Sequence, residues 1–133
     1  MPEGLTIGRL AKAVGVNVET IRYYQRRGLI AEPAKPPGGH RRYSPRVIEQ
    51  VGFIRRAQQL GFSLDDAKHL LGLADGTHCR EARIIAEKKY ELIEIQIARL
   101  EKMRSELDVL IKACRENRSR KDCPLIDALK KGA

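Results

Sequence analysis

No run of 18 apolar residues occurs in these 133 residues, so a membrane-spanning helix is not expected. The opening segment MPEGLTIGRL lacks the apolar stretch of a secretory signal, and a cytoplasmic protein is the expectation. Cysteine is scarce: Cys79, Cys114 and Cys123 are the only three. An odd count, in a compartment that keeps thiols reduced, argues against a disulfide framework. No CxxC pair is present, so the close-spaced ligand pairs of structural zinc sites are missing. No cysteine has a general base placed to activate it, and no cofactor fingerprint appears, which leaves a thiol enzyme poorly supported. Acidic residues are thin in one region: residues 9–56 carry eleven Lys/Arg against three Glu, within a net charge of +9. Such an excess suits a polyanionic partner, although a merely solvated basic surface has the same composition.

What is present in the first 75 residues is a series of short helices separated by turn signals. Thr6 can cap a helix over IGRLAKAVG, with Ile7, Leu10, Ala11 and Val14 at helical spacing and Gly15 as its stop. Asn17 can cap a second, VETIRYYQRRG, ending at Gly28. Two short helices joined by a glycine-containing turn form a helix-turn-helix candidate. EPAKPPGGHRRYS is too rich in Pro and Gly for helix and suits an extended hairpin, or wing, with Gly38-Gly39 at its tip. Ser44-Pro45 signals a third helix ending near Gly61, and Ser63 with Asp66 opens a fourth that Asp75-Gly76 breaks.

From Thr77 to Ala113 there is neither Gly nor Pro. Positions 79, 82, 86, 89, 93, 96, 100, 103, 107, 110 and 114 step alternately by three and four and hold Cys, Ala, Ala, Lys, Ile, Gln, Leu, Met, Leu, Leu and Cys. This is a heptad seam, clean from Ile93 onward. A seam is half an interface. A second identical chain supplies the other half most simply, and packing against the chain's own N-terminal helices is the alternative. The expected fold is all-α with a small β wing: a winged helix-turn-helix domain over residues 1–75, a long dimerisation coiled-coil helix over 76–113, read as antiparallel on the cysteine and family arguments that follow, and a loop with a short C-terminal helix over 114–133.

Cys79 and Cys114 share the seam five heptads apart, about 50 Å along a straight helix, so one chain cannot bring them to one ligand. In a parallel dimer each would face its own copy. In an antiparallel dimer centred near Gln96 and Ile97, Cys79 of one chain lies close to Cys114 of the other, and Cys123 reaches the same place through the polar loop. Three thiolates without a fourth ligand suit a three-coordinate thiophilic ion, Hg(II) before Cd(II) or Pb(II). Arg115, Arg118, Arg120 and Lys121 lower the cost of clustering negative sulfur. The plain alternative is a Cys79 acting as a small hydrophobe beside two incidental loop thiols. His78 would point about 100° away from Cys79 on a helix and reads as a surface or capping residue.

The segments LTIGRLAKAVGVNVETIRYYQRRGLI, RRYS, LGFSLDDAKHLL, DGTHC and CRENRSRKDCPLI stand in an order that closely resembles the MerR family of bacterial transcription regulators. The three-cysteine pattern ending in CPLI resembles its mercury-responsive branch. Lead- and cadmium-sensing relatives share a similar layout, and a regulator sensing oxidants through the same thiols is a further alternative. The resemblance implies that the second helix enters the major groove, with Glu19, Thr20, Arg22 and Tyr24 as contacts; the pattern of Tyr23 with Val18, Ile21 and Leu29 suggests that its ring turns inward. Arg41 and Arg42 would hold backbone in the wing, where His40 stands in place of the tyrosine of many relatives. It also implies a homodimer on a palindromic promoter operator, shared with RNA polymerase. Such a dimer represses without Hg(II). It activates mercury-resistance genes by untwisting and bending the DNA when the ion is held by Cys79 of one subunit with Cys114 and Cys123 of the other.

Overall fold

The computed structural model describes residues 4–118 and 121–132. Six helices follow in order: α1 (Ile7–Val14), α2 (Val18–Arg26), α3 (Arg46–Gln59), α4 (Leu64–Gly72), α5 (Cys79–Glu116) and α6 (Pro124–Lys130). The chain divides into two compact units, Met1–Ala86 and Glu87–Ala133, with the division inside α5.

In the first unit the expected caps form. Thr6 Oγ1 accepts from the Arg9 amide at 3.3 Å, Asn17 Oδ1 from Thr20 at 2.8 Å and Ser63 Oγ from Asp66 at 3.1 Å. Each satisfies an orphan amide of a first turn, a contribution of about 1 kcal/mol. Gly15 takes the left-handed conformation (φ 72°), which lets the Val16 amide bond the Ala11 carbonyl at 2.9 Å and turn the chain into α2. The start expected at Ser44-Pro45 falls one residue later: α3 begins at Arg46 with Pro45, already at helical angles, in the cap position, and Ser44 Oγ accepts from the Arg46 amide at 3.3 Å.

The core is where α1, α2, α3 and α4 meet. Leu10, Ile21, Tyr43, Val51 and Ile54 are its largest fully buried side chains, with Ala67 from α4 closing one side. Burying each large apolar side chain contributes about 1.5–3 kcal/mol. Arg55 reaches back to donate to the Val14 carbonyl at 2.7 Å, tying α3 to the end of α1.

The wing differs from a two-stranded hairpin. Among the described residues its only sheet pairing is one antiparallel bridge, Leu5 with Tyr43, whose two bonds measure 2.8 and 2.7 Å. Pro33, Pro36 and Pro37 have no amide proton to give a ladder. The turn closes instead through the Gly39 amide on the Pro36 carbonyl, with Gly38 at φ 69°. Arg41 then ties the two arms, donating to the Pro33 carbonyl at 3.0 Å and pairing with Glu32 at 2.9 Å.

In the second unit α5 continues to Glu116, three residues past the expected end, so Cys114 lies in its last turn. The helix has no buried residue. Its seam positions Ile93, Leu100, Met103 and Leu107 remain 36–61% exposed.

Candidate functional site

A cleft of about 640 Å³ opens between the start of α1, α2 and the wing. Arg22, His40 and Arg41, singled out from sequence, all line it, together with Gln25, Arg26 and Lys35, which the sequence reading missed. Helical spacing could have found two of these, since residues 22, 25 and 26 share one face of α2. Lys35 is brought in by the wing's turn, which has no periodic signal.

Arg22 is paired with Glu19 at 2.9 Å, and the two side chains are 56% and 69% exposed. An exposed pair of this kind contributes about 0–1 kcal/mol, so a phosphate or a guanine edge can replace the carboxylate at little cost. Thr20 donates its hydroxyl to Asn17 Oδ1 at 2.9 Å, and so both ends of the residue serve the cap of α2. His40 and Arg42 are exposed. Gln25 is held by the Tyr43 phenol at 2.8–2.9 Å, which fixes its side chain at the foot of the cleft.

Tyr24 is a correction. Its ring is buried, at 6% exposure, and its hydroxyl donates to Gln58 on α3 at 2.9 Å. Burial pushes its phenol above the usual range, with Arg55 opposing more weakly. The tyrosine expected in the core, Tyr23, is the more open of the two. Its hydroxyl accepts from Arg27 at 2.9 Å, and the Arg26 and Arg27 guanidinium groups each lie 5.8 Å from its ring centre. Ile21 and Tyr24, three residues apart, form the inward face of α2, and this leaves Tyr23 beside the cationic surface.

The thiols fall into two places. Cys79 opens α5 and is exposed. Just before it, Asp75 Oδ1 accepts from both the amide and the hydroxyl of Thr77 at 2.9 Å. Those bonds hold the Asp75 carboxyl below its usual range. His78 has the surface and capping role expected of it: its carbonyl takes the Ala82 amide, and its ring lies between Asp75 at 3.4 Å and Glu81 at 3.7 Å.

At the other end of α5, Cys114 and Cys123 approach to 3.8 Å between sulfurs. That is far beyond a disulfide bond of about 2.05 Å. It matches the edge between two thiolates on one ion, about 3.8–4.0 Å for bonds near 2.3 Å. Asn117 closes the intervening loop by donating its side-chain amide to the Asp122 carbonyl, next to Cys123. The amide of Ile126 in the first turn of α6, and next the Cys114 thiol, hold the Cys123 thiol below its usual range, while burial opposes weakly. Cys123 makes no formed cap bond there, so the amides act on it as oriented dipoles. Of the basic residues around the loop, Arg120 lies outside the described residues. Among those described, no three His, Cys, Asp or Glu side chains gather as a metal-holding group, so one chain offers two sulfurs here and not three.

The family model described as "MerR HTH family regulatory protein" matches residues 5–73, and that described as "MerR, DNA binding" matches residues 48–110. The chain is 51% identical over 131 residues to the mercuric resistance operon regulatory protein of Pseudomonas fluorescens, covering 98% of this chain and 91% of the relative. Among solved structures, the MerR of Bacillus megaterium MB1 in complex with mercury(II) aligns with a TM-score of 0.71 at 36% identity, over 96% of this chain and 100% of that one. PbrR691 of Ralstonia metallidurans CH34 in complex with lead(II) aligns with a TM-score of 0.81 at 28% identity, over 94% and 98%.

Proposed function

The chain belongs to the MerR family of helix-turn-helix regulators, and from that premise we propose that it is a mercury(II)-responsive transcription regulator whose effector site is shared between two subunits. It is a DNA-binding regulator and not an enzyme. The single observation that carries the effector reading is the pair of sulfurs at 3.8 Å, Cys114 and Cys123, with the third thiol at the far end of α5.

The exposed seam of α5 supports a homodimer, since eleven heptad positions of mainly apolar character would otherwise face water. The antiparallel arrangement is the one that brings Cys79 of one chain level with Cys114 of the other, whereas a parallel pair would set each thiol against its own copy. In the antiparallel dimer each effector site takes Cys79 from one subunit and Cys114 and Cys123 from the other. Three soft donors and no fourth favour Hg(II) over ions that prefer four ligands or oxygen.

The basic cleft then serves the promoter. Arg22 exchanges Glu19 for DNA in the major groove, and Arg26, Lys35, Arg41 and Arg42 hold phosphates on either side. Binding of the effector across the dimer stabilises one of two dimer shapes, and the shape it favours bends and untwists the operator so that RNA polymerase on the same promoter can initiate. The lead(II) complex of PbrR691 keeps Pb(II) as a second reading. Titration of the reduced dimer with Hg(II), Pb(II), Cd(II) and Zn(II) against excess competing thiol decides between them. Retention of Hg(II) alone is the expected result, and retention of Pb(II) with loss of Hg(II) would overturn it.

A further inference from the structure

The two loop thiols make a complete site for a different class of ligand, and we infer that Cys114 and Cys123 of a single chain take monosubstituted trivalent arsenicals, R–As(OH)2, without help from Cys79. In treating this pair as a ligand site the inference rests on the effector reading above, and it deepens that reading by separating what one chain can bind from what two chains must bind together.

Both sulfurs belong to the unit Glu87–Ala133, and they lie 3.8 Å apart without any contribution from a second chain. In the single chain Cys123 is exposed and Cys114 is half-exposed. The Asn117 bond to the Asp122 carbonyl holds the loop closed, and α6 fixes Cys123 at its start. The sulfurs are thus brought together before a ligand arrives, which lowers the entropy lost on binding. No third thiol, imidazole or carboxylate joins them among the described residues. One chain therefore presents two soft donors. A ligand with three bonds to fill needs both chains, and a ligand with two needs only one.

A monosubstituted trivalent arsenical has two bonds to fill. Carbon holds one of its three bonds, and two exchangeable hydroxyls hold the others. At each thiol the S–H proton passes to a departing hydroxyl, one As–O bond breaks and one As–S bond forms. Two waters leave, and neither arsenic nor sulfur changes oxidation state. After the first thiol has reacted the second step is intramolecular, with an effective concentration in the millimolar range or above, so removing either thiol weakens retention by about 10²-fold or more. An arsenical held this way leaves Cys79 unengaged. It occupies the loop thiols without linking the two subunits.

The test uses reduced full-length dimer and phenylarsine oxide, which hydrates to the R–As(OH)2 form, in the presence of millimolar glutathione, with adducts counted by intact mass. One adduct per chain is expected for the unmodified protein and for Cys79→Ala. Cys114→Ala and Cys123→Ala should need about 10²-fold more arsenical, and Cys114→Ser and Cys123→Ser should behave alike, with helix content and operator binding confirming that each variant is folded. Absence of an adduct on the unmodified protein overturns the inference, as does its loss in Cys79→Ala or its retention in Cys123→Ala. Hg(II) titrated on the same proteins separates the two readings. If Cys79→Ala keeps the arsenical and loses mercury, both stand. If it keeps both ligands, the intersubunit mercury site fails and the arsenical site stands. If the unmodified protein holds mercury but no arsenical, only the present inference fails.

Discussion

Replacing Tyr24 with Phe separates a core role from a DNA-contacting one. The ring is buried among α2 and α3, and Phe fills the same space, so packing is kept. What is lost is the 2.9 Å bond from the phenol to Gln58. Gln58 is on the exposed side of α3 and can turn to water, so no buried acceptor is stranded. The expected loss is therefore near the middle of the ordinary range for a hydrogen bond, about 1 kcal/mol. For a unit of this size it lowers the melting temperature by roughly 4–8 °C. Operator affinity at fixed salt should stay within about twofold, because the hydroxyl faces α3, a change of ~0.4 kcal/mol. The pH dependence has a definite sign. Burial raises the folded-state pKa of Tyr24, so its contribution is intact below the unfolded phenol value of about 10 and is lost as the pH rises through the raised folded value. Tyr24→Phe should therefore flatten part of the stability loss seen above pH 10. Thermal melts from pH 7 to 11, with gel shifts at one ionic strength, measure both effects. An unchanged melting temperature with a tenfold loss of operator affinity would refute the inward placement of Tyr24.

Arg22→Ala should weaken specific operator binding by about 1–3 kcal/mol and leave dimerisation and metal uptake intact, because the Glu19 pair that it breaks is exposed; unchanged gel-shift affinity would move the groove contact elsewhere on α2. Asn117→Ala removes the side-chain bond that closes the thiol loop and should weaken mercury retention against competing thiol by about tenfold, the equivalent of one hydrogen bond of ~1.4 kcal/mol. Competition curves that superimpose would show that the loop needs no such tie. Gln96→Leu, at the centre of the seam, should raise the dimer's melting temperature and weaken control of register, as removal of a lone polar seam residue can; a less stable dimer would mean that the amide supports packing.

The local rules of helix termini made much of the fold legible in the sequence. Thr6, Asn17 and Ser63 cap where their side chains and the following residues predict, because a cap is a contact across three residues. The length of α5 was equally readable from its unbroken heptads, although its last turn was not, since Cys114 and Glu116 are compatible with either helix or loop. The Tyr23 and Tyr24 assignment turns on which ring shares the face of Ile21: adjacent residues on a nine-residue helix differ by about 100°, and it is Tyr24, three residues on, that packs into the core and reaches Gln58 on α3. The wing forms with a single bridge in place of a hairpin ladder, because three prolines stand where a ladder would need amides. At the thiol site the three cysteines were visible as a set, and the closing role of Asn117 was not. A polar residue in a polar loop carries no sequence signal until Asp122 is seen beside it.

The proposed completion of the Cys114–Cys123 site by Cys79 of the other subunit is tested most directly by mixing subunits. Cys79→Ala and the double variant Cys114→Ala/Cys123→Ala are mixed, unfolded and refolded together, and the heterodimer is purified through distinct tags. Each homodimer lacks at least one thiol at both of its sites and should lose Hg(II) to excess competing thiol. In the heterodimer one end has all three sulfurs and the other has none, so the account predicts one tightly held mercury per heterodimer. A heterodimer that retains no more mercury than either parent would contradict it.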